Sequence, residues 1–159
     1  YKVFKQTMTA DDILSGKKFP GRKIVIIGGG SVGCETADYL APLINDLFST
    51  NRDITLIEMT NGLMTGESGA TKSLLTRRMM EKGVKIELNS KITYVDETTI
   101  KYEKNNQECV LNDVDTLVFA VGYQPISSPI ENAHLIGDCQ KVGTLKDAIS
   151  QAYQITKEI

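Results

Sequence analysis

Residues 24–40 read IVIIGGGSVGCETADYL, and the three glycine positions at 28, 30 and 33 decide the fold. KIVII (23–27) is Lys23 followed by a short, β-branched, wholly apolar run. Such a run suits a strand covered on both faces in a parallel sheet. Gly28, Gly30 and Gly33 fit G-x-G-x-x-G directly after that strand. A helix is predicted from near Ser31 to about Leu40, with Pro42 ending or kinking it. The glycines serve different ends. Gly28 permits the tight turn, Gly30 lets backbone N–H groups approach a pyrophosphate, and Gly33 lets the helix sit close to the sheet. The helix N-terminus adds unpaired donors and partial positive charge. Gly29, Ser31 and Val32 complete the candidate turn, and Ala37 keeps the next helical turn small. The plain alternative is a strand–turn–helix that binds nothing.

The motif calls for an acidic residue at the end of the next strand. DITLIEM (53–59) is a second buried strand, and Glu58 stands where a ribose-binding carboxylate belongs. It lies 30 residues beyond Gly28, against about 20 in the usual spacing. APLINDLFSTNR (41–52) reads as the inserted extra, with LINDLF (43–48) extending the helical region. A carboxylate accepts ribose hydroxyls but repels a 2′-phosphate, and no Arg or Lys follows Glu58 until Lys72. NAD(H) is therefore favoured over NADP(H). The alternative for Glu58 is a solvated strand end.

The rest of the chain continues an α/β order. Residues 1–18 are polar and expected to be extended. GATKSLLTRRMMEKG (69–83) reads as an amphipathic helix with an edge of Leu74, Leu75, Arg78 and Met79, and Gly83 at its C′ position. Arg77 and Arg78 are expected on a solvated face. Residues 84–113 read as short strands with polar turns, with KNNQ (104–107) a hairpin tip. VDTLVFAVG (114–122) is a buried strand ending in glycine, and HLIGDC (134–139) a last short strand. TLKDAISQAYQITKEI (144–159) closes with a helix that places Leu145, Ala148, Ile149, Ala152 and Ile155 on one face. The fold class is α/β, a Rossmann-like parallel sheet flanked by helices, with an inserted β-meander.

Composition narrows the function. The 159 residues carry a net charge of −2, with 41% hydrophobic and 24% charged residues. That balance suits a globular domain and gives no reason to expect nucleic acid or membrane as partner. No apolar run reaches about 18 residues, and no signal-peptide core opens the chain. The three cysteines include no C-x-x-C pair, and there is one histidine, so neither a disulfide scaffold nor a usual zinc site is expected. A cytoplasmic setting is the default. Cys34, Cys109 and Cys139 read as packing residues; for Cys34 the alternative is a thiol activated by the helix N-terminus. Tyr123 reads as core or rim, with ring stacking as its alternative. The missing initial Met suggests a piece of something longer.

Taken together, VIIGGGSVGCETADYL, ITLIEM, DTLVFAVGYQP and HLIGDC…LKDAI resemble the pyridine nucleotide–flavin oxidoreductases. The wording is most similar to the C-terminal NAD(H)-binding region of NADH:flavin oxidoreductases of the 2,4-dienoyl-CoA reductase and 2-enoate reductase type, which are old-yellow-enzyme-like. The resemblance spans about Phe19 to Tyr153. It implies that Gly28, Gly30 and Gly33 hold the pyrophosphate of NAD(H), and that Glu35 faces the nicotinamide end. It implies that TLVFAVGYQP (116–125), with Ala120, Val121 and Gly122, passes close to bound nucleotide and links back to a flavin domain. Gly137 and Asp138 resemble part of the second flavin motif, where Asp138 would hydrogen-bond FAD; its alternative role is a helix N-cap. The stretch from Gly122 to His134 is shorter than the family leads one to expect.

The resemblance implies a division into a lead-in (1–20), a dinucleotide-binding core (21–122) and a returning segment (123–159), together one NAD(H)-binding domain fragment. It implies hydride transfer from NADH to FAD, with no catalytic acid, base or nucleophile in this chain. FMN and an iron–sulfur cluster belong to the family but have no residues here. The FAD-binding and barrel domains are the expected partners, and without them the isolated chain is expected to be inactive. Two alternatives stand: a nucleotide-sensing module without redox chemistry, and a small stand-alone dehydrogenase, against which it weighs that neither Tyr102 nor Tyr123 is followed four residues on by a lysine.

Overall fold

The computed structural model describes residues 4–42, 51–126, 130 and 132–157. The LINDLF stretch, and with it most of the inserted 41–52 segment, lies outside the described residues. The chain divides into two compact units, Tyr1–Val121 and Gly122–Ile159.

The first unit is built on a parallel sheet. Its strands are β1 (Thr7–Thr9), β2 (Lys23–Ile27), β3 (Asp53–Ile57), β4 (Lys85–Glu87) and β8 (Thr116–Phe119), in the order β1-β8-β2-β3-β4. Helices α1 (Ala10–Leu14), α2 (Ser31–Leu40) and α3 (Gly69–Glu81) accompany it. Strands β5 (Ser90–Val95), β6 (Ile100–Lys104) and β7 (Gln107–Leu111) form a separate antiparallel meander. Central β2 is paired on both sides, Ile24 opposite Ile54 of β3 and Thr116 of β8.

The apolar run of β2 feeds two cores. Ile24 and Ile26 pack with Cys34, Ala37, Leu75 and Met79 from the helices. Val25 packs with Ile100, Tyr102 and Val114 on the other side. Period-two alternation thus sends neighbouring residues to opposite faces. One face is covered by helices and the other by the meander. Sequestering each large aliphatic side chain contributes about 1.5–3 kcal/mol.

Several expectations are corrected. Residues 1–18 are not simply extended, because β1 pairs in parallel with β8 and α1 follows at once. A capping box explains the turn: Asp12 N–H donates to Thr9 Oγ1, and the Asp12 carboxylate accepts from Thr9 N–H. Strand β3 ends at Ile57, two residues early, with its last pairing to Glu87 of β4. On α3, Leu75 and Met79 are buried but Leu74 is 54% exposed. Gly83 has φ of 81° beyond the end of that helix, as a C′ glycine should. The meander's tip at Asn105 and Asn106 has both φ angles positive, 52° and 61°. That is the left-handed backbone a two-residue hairpin uses.

In the second unit, HLIGDC is not a strand. Gly137–Cys139 is a 3₁₀ turn, with Gly137 at φ 57° and its N–H donating to Gln151 Oε1 at 2.6 Å. No strand occurs among the described residues after Phe119. Helix α4 (Leu145–Ile155) starts with a second capping box, Thr144 with Asp147. Its face carries Leu145 and Ile149, both exposed. No helix among the described residues is long and apolar enough to cross a membrane.

Candidate functional site

The glycine turn connects β2 to α2 at the C-terminal end of the parallel sheet. Gly28 has φ of 108°, and a Cβ there would run into the Ala120 carbonyl. A Cβ on Gly33 would overlap the Gly28 carbonyl oxygen. Both positions are glycine because backbone approaches backbone. Gly30 differs: nothing lies within 4 Å of where its Cβ would stand. The turn is packed below and open at Gly30, where a ligand's phosphates need room. No side chain caps α2 at its N-cap, Gly30, so its first-turn N–H groups are presented for an anion.

Gly29 is a glycine the motif does not require. A Cβ there would sit 2.6 Å from Leu63 Cδ2 and 2.9 Å from Glu58 Cβ. Its N–H donates to Glu58 Oε2 at 2.6 Å, and its carbonyl accepts from Met64 N–H at 2.7 Å. Glu58 is therefore not a solvated strand end. Its Oε1 also accepts from Thr60 N–H at 2.7 Å. Burial pushes the carboxyl up, but the N–H donors of Thr60 and Gly29 outweigh it and hold Glu58 below the usual glutamate range. Each oxygen keeps a lone pair for a further donor.

The turn also meets three residues that the motif alone did not single out, Leu63, Met64 and Glu67. Ser31 Oγ donates to Glu67 Oε1 at 2.7 Å, and Glu67 N–H returns to the Met64 carbonyl at 3.1 Å. Leu63 and Met64 are buried, and Met64 has φ of 47°. Only the three glycines within residues 60–69 hinted at a structured loop.

Other predicted residues are placed as follows. Val32 is half-buried and Glu35 exposed on α2. Ala120 ends the β8 segment beside the turn, its N–H donating to the Ile27 carbonyl at 2.9 Å. Val121 is 70% exposed. In the second unit, Gly122 has φ of 90°. Asp138 is exposed and accepts from Gly143 N–H at 3.1 Å. Asp138 does not cap α4; Thr144 does. Tyr123 is exposed rather than core.

The cysteines also sort out. Cys34 is fully buried, its Sγ–H directed at the Gly29 carbonyl at 3.4 Å. Burial, with the charges of Glu58 and Glu35, pushes the thiol up to about 12. Cys34 is a packing residue, and the activated-thiol alternative fails. Cys109 is half-buried, whereas Cys139 is exposed and not packed. Arg77 and Arg78 are both exposed, as expected, and Arg78 in addition grips the Asp38 carboxylate in two hydrogen bonds, at 2.8 and 2.5 Å. Lys82 Nζ reaches the same carboxylate at 2.9 Å.

Residues 1–152 match the family described as Pyridine nucleotide-disulphide oxidoreductase. A cinnamate reductase of Clostridium sporogenes is 30% identical over 95% of this chain, which spans 23% of that relative. A metal reductase of Desulforamulus reducens is 29% identical over 93% of the chain and 26% of the relative. The solved complex of 2-naphthoyl-CoA reductase with 2-naphthoyl-CoA superposes with a TM-score of 0.75 at 22% identity, over 96% of this chain and 23% of that one. The chain thus spans about a quarter of the length of these relatives.

Proposed function

From the premise that the chain belongs to the pyridine nucleotide-disulphide oxidoreductase family, we propose that it is the NAD(H)-holding part of a flavin-dependent reductase of the enoate reductase kind. The observation that carries this reading is the turn: closed by packing at Gly28 and Gly33, open at Gly30, and flanked by a carboxylate at the end of β3.

The residues fit the dinucleotide. The first-turn N–H groups of α2, at Ser31, Val32 and Gly33, receive its diphosphate, and Gly30 leaves the space. Glu58 accepts a ribose hydroxyl with a lone pair not used by Gly29 or Thr60. Its lowered pKa keeps it ionised at neutral pH, so a 2′-phosphate is repelled and NADH is preferred. Glu35 orients the nicotinamide end from the exposed side of α2. NADH supplies a hydride, for which a flavin of the longer protein is the acceptor. The work of this chain is position and charge, with no acid, base or nucleophile required. Gly122, Gly137 and Asp138 are assigned to the flavin side, where Asp138 has one carboxylate oxygen with no hydrogen bond to Gly143. The FAD-binding and barrel portions are the partners.

Titration of the chain with NADH and NADPH, followed by nicotinamide fluorescence, tests the reading. NADH binds more tightly. Glu58→Ala weakens NADH by about ten- to a hundredfold, the scale of a charge-assisted hydrogen bond, and narrows the gap to NADPH. Tighter binding of NADPH by the unaltered chain overturns the cofactor assignment. Binding of neither overturns the site.

A further inference from the structure

Residues 58–67 form a strap tied to the glycine turn at three points. Glu58 takes the N–H of Gly29, Met64 N–H donates to the Gly29 carbonyl, and Glu67 takes the hydroxyl of Ser31. Two of the three ties use carboxylates. The buried Leu63 and Met64 anchor the strap from below. The Met64 carbonyl, accepting from Glu67 N–H, fixes where the second carboxylate emerges.

That position matters because Ser31 is the first residue of α2. A hydroxyl has one proton to donate, and the Ser31 proton is spent on Glu67. The helix N-terminus attracts anions, and Glu67 places a resident negative charge one hydrogen bond away from it. An incoming diphosphate meets that charge and finds the Ser31 donor already engaged.

We propose that Glu67 is a specificity- and affinity-setting residue of the dinucleotide site, a built-in competitor that weakens binding of diphosphate-bearing ligands through its hold on Ser31. This rests on the dinucleotide reading above. Glu67 acts on the phosphates alone and leaves recognition of the adenosine to Glu58 and its surroundings. Its effect is therefore expected with NADH and ADP-ribose and not with adenosine.

The test uses the full 159-residue chain, with NADH, ADP-ribose and adenosine as probes at about 20 mM and about 500 mM salt, across which exposed charges are screened. Glu67→Gln keeps the shape and removes the charge. It tightens NADH and ADP-ribose by about two- to fivefold at low salt, the scale of an exposed charge interaction. The gain shrinks at high salt, and adenosine is unchanged. In a Ser31→Ala background the same substitution gains markedly less, because the tether is gone. Equal or weaker NADH binding by a normally folded Glu67→Gln overturns the proposal while leaving the dinucleotide site intact. Equal tightening of adenosine overturns it too, since that would reveal a loop rearrangement in place of a charge effect. Failure of the unaltered chain to bind any of the three overturns the proposal together with the site.

Discussion

Gly30 and Gly33 are the same residue type three positions apart, yet they answer to different forces. A methyl group at 33 meets the Gly28 carbonyl, whereas one at 30 meets open space. Gly33→Ala is expected to cost about 1–3 kcal/mol of stability, the penalty for forcing atoms into a packed site, and to lower the thermal midpoint by several degrees. Gly30→Ala is expected to melt close to the unaltered protein, since φ of −69° at this N-cap suits any residue, and to lose NADH binding. Circular-dichroism melting and NADH titration of both variants check the contrast. A Gly30→Ala protein that binds normally would mean the phosphates lie elsewhere. The glycine pattern was legible in sequence because it is a local rule of turn geometry. The need for glycine at 29 was not, since it depends on Leu63 and Glu58, which arrive from a different loop.

At the level of elements, α2 and α3 are joined by polar as well as apolar contacts. Asp38 is 8% exposed, and it is held by Arg78 and Lys82. Burial raises its pKa, but the hydrogen bonds from Arg78 and Lys82 outweigh that and leave it lowered. A carboxyl whose folded pKa lies below its unfolded value stabilises the protein above the unfolded value, about 3.9 for Asp. That contribution is lost as the pH falls through the folded pKa. Asp38→Asn is expected to cost about 1–3 kcal/mol at pH 7, because Lys82 is left without its counter-charge. The variant's stability should also fall less steeply than that of the unaltered protein below about pH 4. Urea melts at pH 7 and pH 3 measure both; equal slopes would show that Asp38 titrates alike in both states. The boundaries of β2, α2 and the meander hairpin were readable from periodicity, glycine and the Asn pair. The Asp38 cluster was not, because it pairs residues 40 positions apart. The 134–139 segment misled because its apolar residues resemble a strand, while Gly137 and its bond to Gln151 make a turn.

Across the whole first unit, the layering places a five-stranded parallel sheet between helices and meander. Cys34 lies on the helix side of that sheet at 0% exposure, directly under the turn. Only the thiolate reacts with an alkylating reagent, and burial denies this sulfur both charge and access. Cys139, and then Cys109, should label rapidly in the native protein. Cys34 should label only when α2 lifts away from β2. Its labelling rate, followed by mass spectrometry under native conditions, is therefore a clock for that opening. Saturating NADH should slow Cys34 alone, roughly in proportion to the fraction of turns it holds closed; an unchanged rate would mean that NADH does not hold this turn shut. One inert sulfur thus converts the occupancy of the turn into a time that can be counted without any optical signal from the ligand.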